Sequence, residues 1–195
     1  YALNIADVAE AAGIDLKKAP VRVALCGAEA ATDALRAEAG RRLGLTMIDH
    51  YGLSEVMGPG VAAECLEGAM DPDTPGGLHL WEDHFYFEII DPKTGDVLPE
   101  GETGELVITT LSKEALPMVR YRTGDITHII PGKCICGRTH RRMAWAKGRS
   151  DDMLVIRGVN VYPSAVEEAL IGLPGVAPHY QLVVRDGKSM ATVDV

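Results

Sequence analysis

The 195-residue chain has no apolar run near the ~20 residues that a bilayer-spanning helix needs. No basic start followed by an apolar core marks a secretory leader. Cysteine is scarce. Cys26, Cys65, Cys134 and Cys136 are too few for a disulfide scaffold, and Cys134 and Cys136 are poorly placed to bridge each other. These absences make the cytoplasm the expected compartment. Basic residues are outnumbered, 19 against 28 acidic, and the formal charge of −9 argues against a nucleic-acid or anionic-membrane partner. Locally, Arg138, His140, Arg141, Arg142, Lys147 and Arg149 form a basic island that suits a phosphate-bearing small ligand. No repeat or low-complexity linker interrupts the chain. What remains is globular: 47% hydrophobic and 24% charged residues sit at the averages of folded domains, and the length fits one large domain or one and a fraction.

Residues 1–20 open as an amphipathic helical pattern that stops at Gly13 and Pro20. VRVALCGAE then predicts a short buried parallel strand ending in glycine. Thr32 caps a helix over DALRAEAGRRLG, and LTMIDHYG is the next strand. Strand, helix and strand in about thirty residues make one βαβ unit. After Gly58-Pro59-Gly60 the pattern changes. GGLHLWEDHFYFEIID alternates, and turns are expected at Thr94-Gly95, Glu100-Gly101, Thr103-Gly104 and Thr123-Gly124-Asp125, which predicts antiparallel strands joined by hairpins. DDMLVIRGVNVYP continues in the same vein, Ser164 caps a further helix, and YQLVVRD begins a last strand. The chain starts inside a helical pattern and stops in a strand-rich unit, so it is expected to be a fragment of a longer protein.

Four constellations carry candidate chemistry. Gly27-Ala28-Glu29 follows a strand, where small residues let backbone approach a flat ligand; an ordinary strand-to-helix turn uses the same residues. In YGLSE, Tyr51 to Glu55, a ring, a hydroxyl and a carboxylate could stack on a base, hold a phosphate oxygen and bind magnesium; a helix-capping Glu55 reads as well. YRTGD sets Asp125 after a strand, where a carboxylate accepts both ribose hydroxyls; the alternative is a solvated hairpin turn. In GRSDDMLVIRGVNVYP, adjacent Asp151 and Asp152 repel and prefer water, which fits an interdomain hinge or a plain charged loop.

In this order and spacing the four resemble the adenylate-forming enzymes, the superfamily of acyl-CoA synthetases, peptide-synthetase adenylation domains and luciferases. HYGLSEVMGPGVAAEC, GLHLWEDHFYFEIIDPKTGDVLPEGETGELVITTL, MVRYRTGDIT and GRSDDMLVIRGVNVYPSAVEE are most similar to the phenylacetate-CoA ligase branch. The resemblance implies an α/β fold. Residues 1–150 would be the carboxyl-terminal part of the large adenylation domain, a parallel βαβ plus an antiparallel β-rich subdomain. Residues 151–195 would begin a small, mobile α+β domain. It further implies that an aryl acid and ATP give an acyl-adenylate and pyrophosphate, and that CoA then releases AMP and the thioester. Gly27, Ala28 and Glu29 would border the adenine, with Tyr51 and Gly52 against it. Ser54 would meet the α-phosphate, Glu55 would hold Mg2+, and Asp125 and Arg149 would contact the ribose or phosphate. Asp151 would be the hinge, and Arg157 to Asn160, with Gly158, the loop used in the thioester step. No Ser/Thr/Gly-rich phosphate loop and no late catalytic lysine are present in the chain, so alone it is expected to be incapable of efficient adenylation.

Cys134-x-Cys136 is one residue tighter than the usual zinc knuckle, and a tetrahedral ion needs two further ligands. In some members of this branch the resembling cysteine and histidine set occurs together, which implies a structural Zn2+ on Cys65, His79, Cys134 and Cys136. His84 and His140 are the reserves; strand alternation puts His84 on the face opposite His79. Cys26 is expected to be packing. Free loop cysteines are the competing account. The partners expected are an aryl acid, ATP and CoA, with no nucleic acid or membrane and a homodimer as the assembly to look for. A non-catalytic acyl-adenylate-binding module and an adenylyltransferase of the same superfamily stay open as alternatives.

Overall fold

The structure, a computed structural model, describes residues 1–28, 32–70, 76–150, 152, 154–156, 159–170, 173, 181–185 and 192–194. Helix α1 (Ala2–Ala11) buries Ala6 and Ala9 and is followed by strand β1 (Val23–Cys26), helix α2 (Asp33–Leu43) and strand β2 (Thr46–Tyr51). The α2 boundaries are local chemistry: Thr32 Oγ1 accepts from the Leu35 N–H at 3.3 Å, and Gly44 closes the helix at φ +72°. β1 and β2 pair in parallel from Val23↔Thr46 to Cys26↔Asp49, as a βαβ unit requires. β1 is not the buried strand that its composition suggests. Among the described residues it pairs with β2 alone, at the sheet edge, and Leu25 is 73% exposed.

The antiparallel part grows from the same sheet. β3 (Ala62–Ala63) pairs with the end of β2, β4 (Leu78–Leu80) pairs with β3, and β8 (Ile129–Ile130) and β9 (Arg142–Met143) complete the order β1-β2-β3-β4-β9-β8. The short helix α3 (Leu66–Met70) lies between β3 and β4 in sequence. A second, three-stranded antiparallel sheet holds β5 (Phe85–Ile90), β6 (Gly104–Thr110) and β7 (Tyr121–Thr127). The alternation over residues 76–91 therefore spans two strands in two sheets. A turn at 82–84, with Phe85 N–H donating to the Trp81 carbonyl at 3.1 Å, separates them.

Leu78 and Leu80 of the first sheet pack with Phe85, Phe87, Leu106 and Ile108 of the second into one core. Along β5, Phe85, Phe87 and Ile89 point inward while Tyr86 faces water, the period-2 pattern of a half-buried strand. Two expected turns are strand instead. Gly104 opens β6, where a Cβ would sit 2.3 Å from the Ile90 carbonyl oxygen. Gly124 lies inside β7 at φ +81°, and the register shifts between Glu105 and Val107, so the glycine serves a bulge. Beyond residue 150, β10 (Leu154–Ile156) and β11 (Val159–Val161) form a hairpin, and helix α4 (Pro163–Leu170) follows. Ser164 lies inside that helix, because Pro163 takes its first position, where the missing N–H costs nothing. β12 (Val183–Arg185) and β13 (Thr192–Asp194) pair antiparallel. Among the described residues no helix is long and apolar enough to cross a membrane.

Candidate active site

The carboxyl ends of β1 and β2, where a parallel pair offers a ligand crevice, border a cavity of about 390 Å³ with Gly27, Ala28, Tyr51, Gly52, Asp125 and Arg149 in its wall. Gly27 is fixed by crowding: a Cβ there would sit 2.7 Å from the His50 ring and 2.8 Å from the His50 carbonyl oxygen. Ala28 takes φ +71°, a conformation alanine enters only when its surroundings impose it. Gly52 is equally constrained, 2.6 Å from Pro59 backbone if it carried a Cβ.

Two residues 74 apart in sequence meet in the wall: the Tyr51 hydroxyl donates to Asp125 Oδ2 at 2.5 Å. Burial, and then the Asp125 charge, push the Tyr51 phenol well above its ordinary pKa, so the hydroxyl stays a donor. Asp125 is aimed from behind. Its N–H donates to Thr123 Oγ1 at 3.0 Å, and Thr123 Oγ1 donates to the Leu106 carbonyl. Residues 147–150 run alongside β7 through Lys147 N–H to Ile126 O, Ile126 N–H to Gly148 O and Ser150 N–H to Gly124 O. This pairing delivers Arg149, whose Nη1 lies 3.7 Å from Asp125 Oδ1 and donates to the Thr123 carbonyl at 3.1 Å.

Ser54 and Glu55 are exposed on the loop after β2, which Lys113 clamps by donating to the Glu55 carbonyl at 2.8 Å. Glu29, Asp151 and Gly158 lie outside the described residues, as does Arg157. Asn160 is in β11, opposite Val155.

The second constellation is compact. Cys65, His79, Cys134 and Cys136 offer one ligand atom each, all within 4.8 Å of one another, and the first three residues are buried. Cys65 Sγ lies 3.5 Å from Cys134 Sγ, and Cys136 Sγ lies 3.4 Å from His79 Nε2. The other ring nitrogen, Nδ1, is 3.4 Å from the His140 carbonyl oxygen, the arrangement that orients a histidine toward a metal. Burial lowers the His79 pKa and favours the neutral, ligating imidazole. Backbone N–H groups already point at the sulfurs, Gly68 at Cys65 (3.2 Å) and Arg138 at Cys136 (3.5 Å). Burial holds the Cys65 thiol up. Burial also opposes ionisation of Cys136, but the Arg138 N–H and the neighbouring thiols bring it below its ordinary value.

Neither reserve histidine joins the set. His84 Nδ1 pairs with Ser112 Oγ at 2.8 Å, and His140 Nε2 lies 3.3 Å from Asp83. Strand alternation is not what separates His84 from His79, since His84 sits in the turn between β4 and β5. Cys26 is half-buried at the sheet edge, and burial raises its thiol pKa. The contacts that sequence reasoning missed are Tyr51 to Asp125 and the Arg36–Glu64 pair beneath the cavity, and no spacing rule links either.

Residues 3–112 match the model of the AMP-binding enzyme family, and residues 158–195 match the AMP-binding enzyme C-terminal domain. The chain belongs to the AMP-binding enzyme family. Within it, the chain is 50% identical over its whole length to the phenylacetate-coenzyme A ligase of Pseudomonas putida, of which it covers 42%. It is 54% identical over 94% of its length to that of Escherichia coli K12, of which it covers 40%. The chain thus spans about two fifths of these relatives. Its fold is similar to 2-hydroxyisobutyryl-CoA ligase in the postadenylation state in complex with R3-HIB-AMP, with a TM-score of 0.84 and 28% identity over 94% of this chain and 38% of that one.

Proposed function

We propose that the protein containing this chain is an ATP-dependent aryl-acid–CoA ligase, with phenylacetate or a close relative as its acid. The observation that supports this best is the meeting of Tyr51, Asp125 and Arg149 with the Gly27-Ala28 turn around one cavity. It occurs in a chain half-identical to phenylacetate-coenzyme A ligases. The acid attacks the α-phosphorus of ATP to form an acyl-adenylate and expel pyrophosphate. The thiol of CoA then attacks the acyl carbon and expels AMP.

The residues proposed for the site divide the work by chemistry. Gly27 and Ala28, with Glu29, let the base lie close to backbone, and Tyr51 and Gly52 bound it from the other side. Asp125, beside Arg149, accepts from the ribose hydroxyls. Ser54 donates toward the α-phosphate, and the exposed carboxylate of Glu55 suits an oxygen-seeking Mg2+, which when bound offsets charge on the phosphates. Fixed donors of this kind lower the barrier because they need no reorganisation as charge develops. Division into residues 1–150 and 151–195, with Asp151 as hinge and Gly158 and Asn160 in the thioester step, belongs to the same reading and agrees with a separate family match over 158–195.

The metal corner fits a structural Zn2+. Three sulfurs and one imidazole nitrogen make the complete tetrahedral donor set of such sites, which leaves no open position for substrate. The deciding experiment is ATP–pyrophosphate exchange by the full-length protein across a panel of aryl acids. Exchange strongest with phenylacetate, and AMP release that requires CoA, are expected. Absence of exchange with every acid sinks the proposal, and AMP release indifferent to CoA turns it toward adenylyl transfer to another acceptor.

A further inference from the structure

Arg36, Glu64, Asp49 and Trp145 form a connected polar set under the cavity, and no motif assigns them a role. Arg36 of α2 and Glu64, just after β3, have side chains only 10% and 1% exposed, and they pair at 2.5 Å. Glu64 Oε2 also accepts the Asp49 N–H at 2.7 Å, so this carboxylate holds the β2 backbone just ahead of Tyr51. Arg36 also donates to the Met47 carbonyl at 3.4 Å, and its guanidinium carbon lies 5.0 Å from the centroid of the Trp145 ring. Asp49 and Trp145 both line the cavity. Trp145 is wedged from behind as well, since a Cβ on Gly76 would come within 2.3 Å of its ring.

Stability alone is a poor reason for such a pair. Taking both charges out of water offsets most of their attraction, and apolar replacements of the same volume commonly fold as well. The set is also incompletely satisfied: Arg36 Nε, Glu64 Oε1 and Trp145 Nε1 are buried without a hydrogen-bond partner among the described residues. What the pair does supply is fixed geometry. It ties α2, β2, β3 and the segment after β9 at one point, and Glu64 is the residue next to Cys65 of the metal corner.

We infer that Arg36 and Glu64 are positioning residues for the nucleotide: their pair sets the Asp49 backbone and the Trp145 ring as one wall of the cavity, and links that wall to the metal corner through Glu64-Cys65. The inference rests on the nucleotide reading of the cavity.

The test uses the full-length protein and AMP alone, so it needs no turnover. Calorimetry gives the AMP affinity, and the fluorescence difference between wild type and Trp145→Phe isolates the emission of Trp145. AMP is expected to change that emission in the wild type. Arg36→Met is expected to weaken AMP binding about tenfold, the size of one well-placed coupling. It should shift the Trp145 emission and leave KM for CoA within about twofold, because the altered wall touches only the nucleotide. Arg36→Lys should recover part of the loss. Since Arg36→Met leaves a buried unpaired carboxylate, the double variant Arg36→Met/Glu64→Leu is measured beside it. This variant should keep the wild-type thermal midpoint and still bind AMP weakly. If it binds AMP as tightly as the wild type, or if KM for ATP and for CoA rise together in Arg36→Met, the positioning role is wrong. A wild type that binds no AMP overturns the nucleotide reading itself, which is a different result from an unchanged affinity in the variants.

Discussion

Strand β4 serves both the Cys/His corner, through His79, and the cavity, through Leu78, and the two sites are finished in opposite ways. At the corner, four donors from distant parts of the chain close on one another within 4.8 Å, and three of the four residues are buried. At the cavity, Gly27, Ala28 and Gly52 lie in the wall, while Ser54 and Glu55, just beyond Gly52 in the chain, remain in water. A donor set closed on itself leaves no position for substrate, so the ion proposed for it would contribute to folding. A set left open keeps its donors for a ligand, and its worth is counted in affinity and rate.

That contrast can be broken by mutation. Cys134→Ser should empty the corner and cost more than about 5 kcal/mol of stability, because structural metal binding is folding free energy. Metal analysis and urea unfolding of the full-length protein check it, and retention of the metal would contradict the closed set. Phe85→Ala, in the core shared by the two sheets, should cost about 3–5 kcal/mol and lower the yield of folded protein without changing activity per folded molecule. Asp125→Asn should do the reverse. It is expected to lower kcat/KM for ATP about 100-fold, or about 2.7 kcal/mol, with the thermal midpoint within about 2 °C of wild type. A variant that melts early instead would make Asp125 a structural residue like those of the corner. The smallest effect belongs to neither region: Leu116 is exposed at φ +52°, so Leu116→Gly should be neutral or stabilise by up to about 1 kcal/mol. Loss of stability there would show that the Leu116 side chain holds the loop carrying Lys113.

Much of this was legible in the sequence where the signal is local. The parallel unit from β1 to β2 follows from β-branched runs, the Thr32 cap and the glycine at position 44, all chemistry within a few residues of the element it specifies. The meeting of Cys65, His79, Cys134 and Cys136 was legible for another reason: cysteine is rare here, and the resemblance named the partners. Pairings between common residues were not. Arg36 and Glu64 stand 28 positions apart and could each have paired with many others. The division of residues 76–91 between two sheets was hidden because period-2 alternation looks the same on either side of a tight turn. Gly104 and Gly124 misled for the opposite reason, since a glycine that opens a strand or serves a bulge reads locally as a turn.

The strand β2 is bonded on both flanks, to β1 along Thr46–Asp49 and to β3 at His50 and Tyr51. Amide hydrogens held in this way exchange with solvent only when the sheet opens, whereas those of an exposed loop exchange freely. The protection boundary therefore falls inside the five letters YGLSE. The Tyr51 amide is expected to exchange slowly, and those of Ser54 and Glu55, three and four residues later, faster. A motif that reads as one word thus joins two settings: a ring on a strand held by its neighbours, and a hydroxyl and a carboxylate left in water.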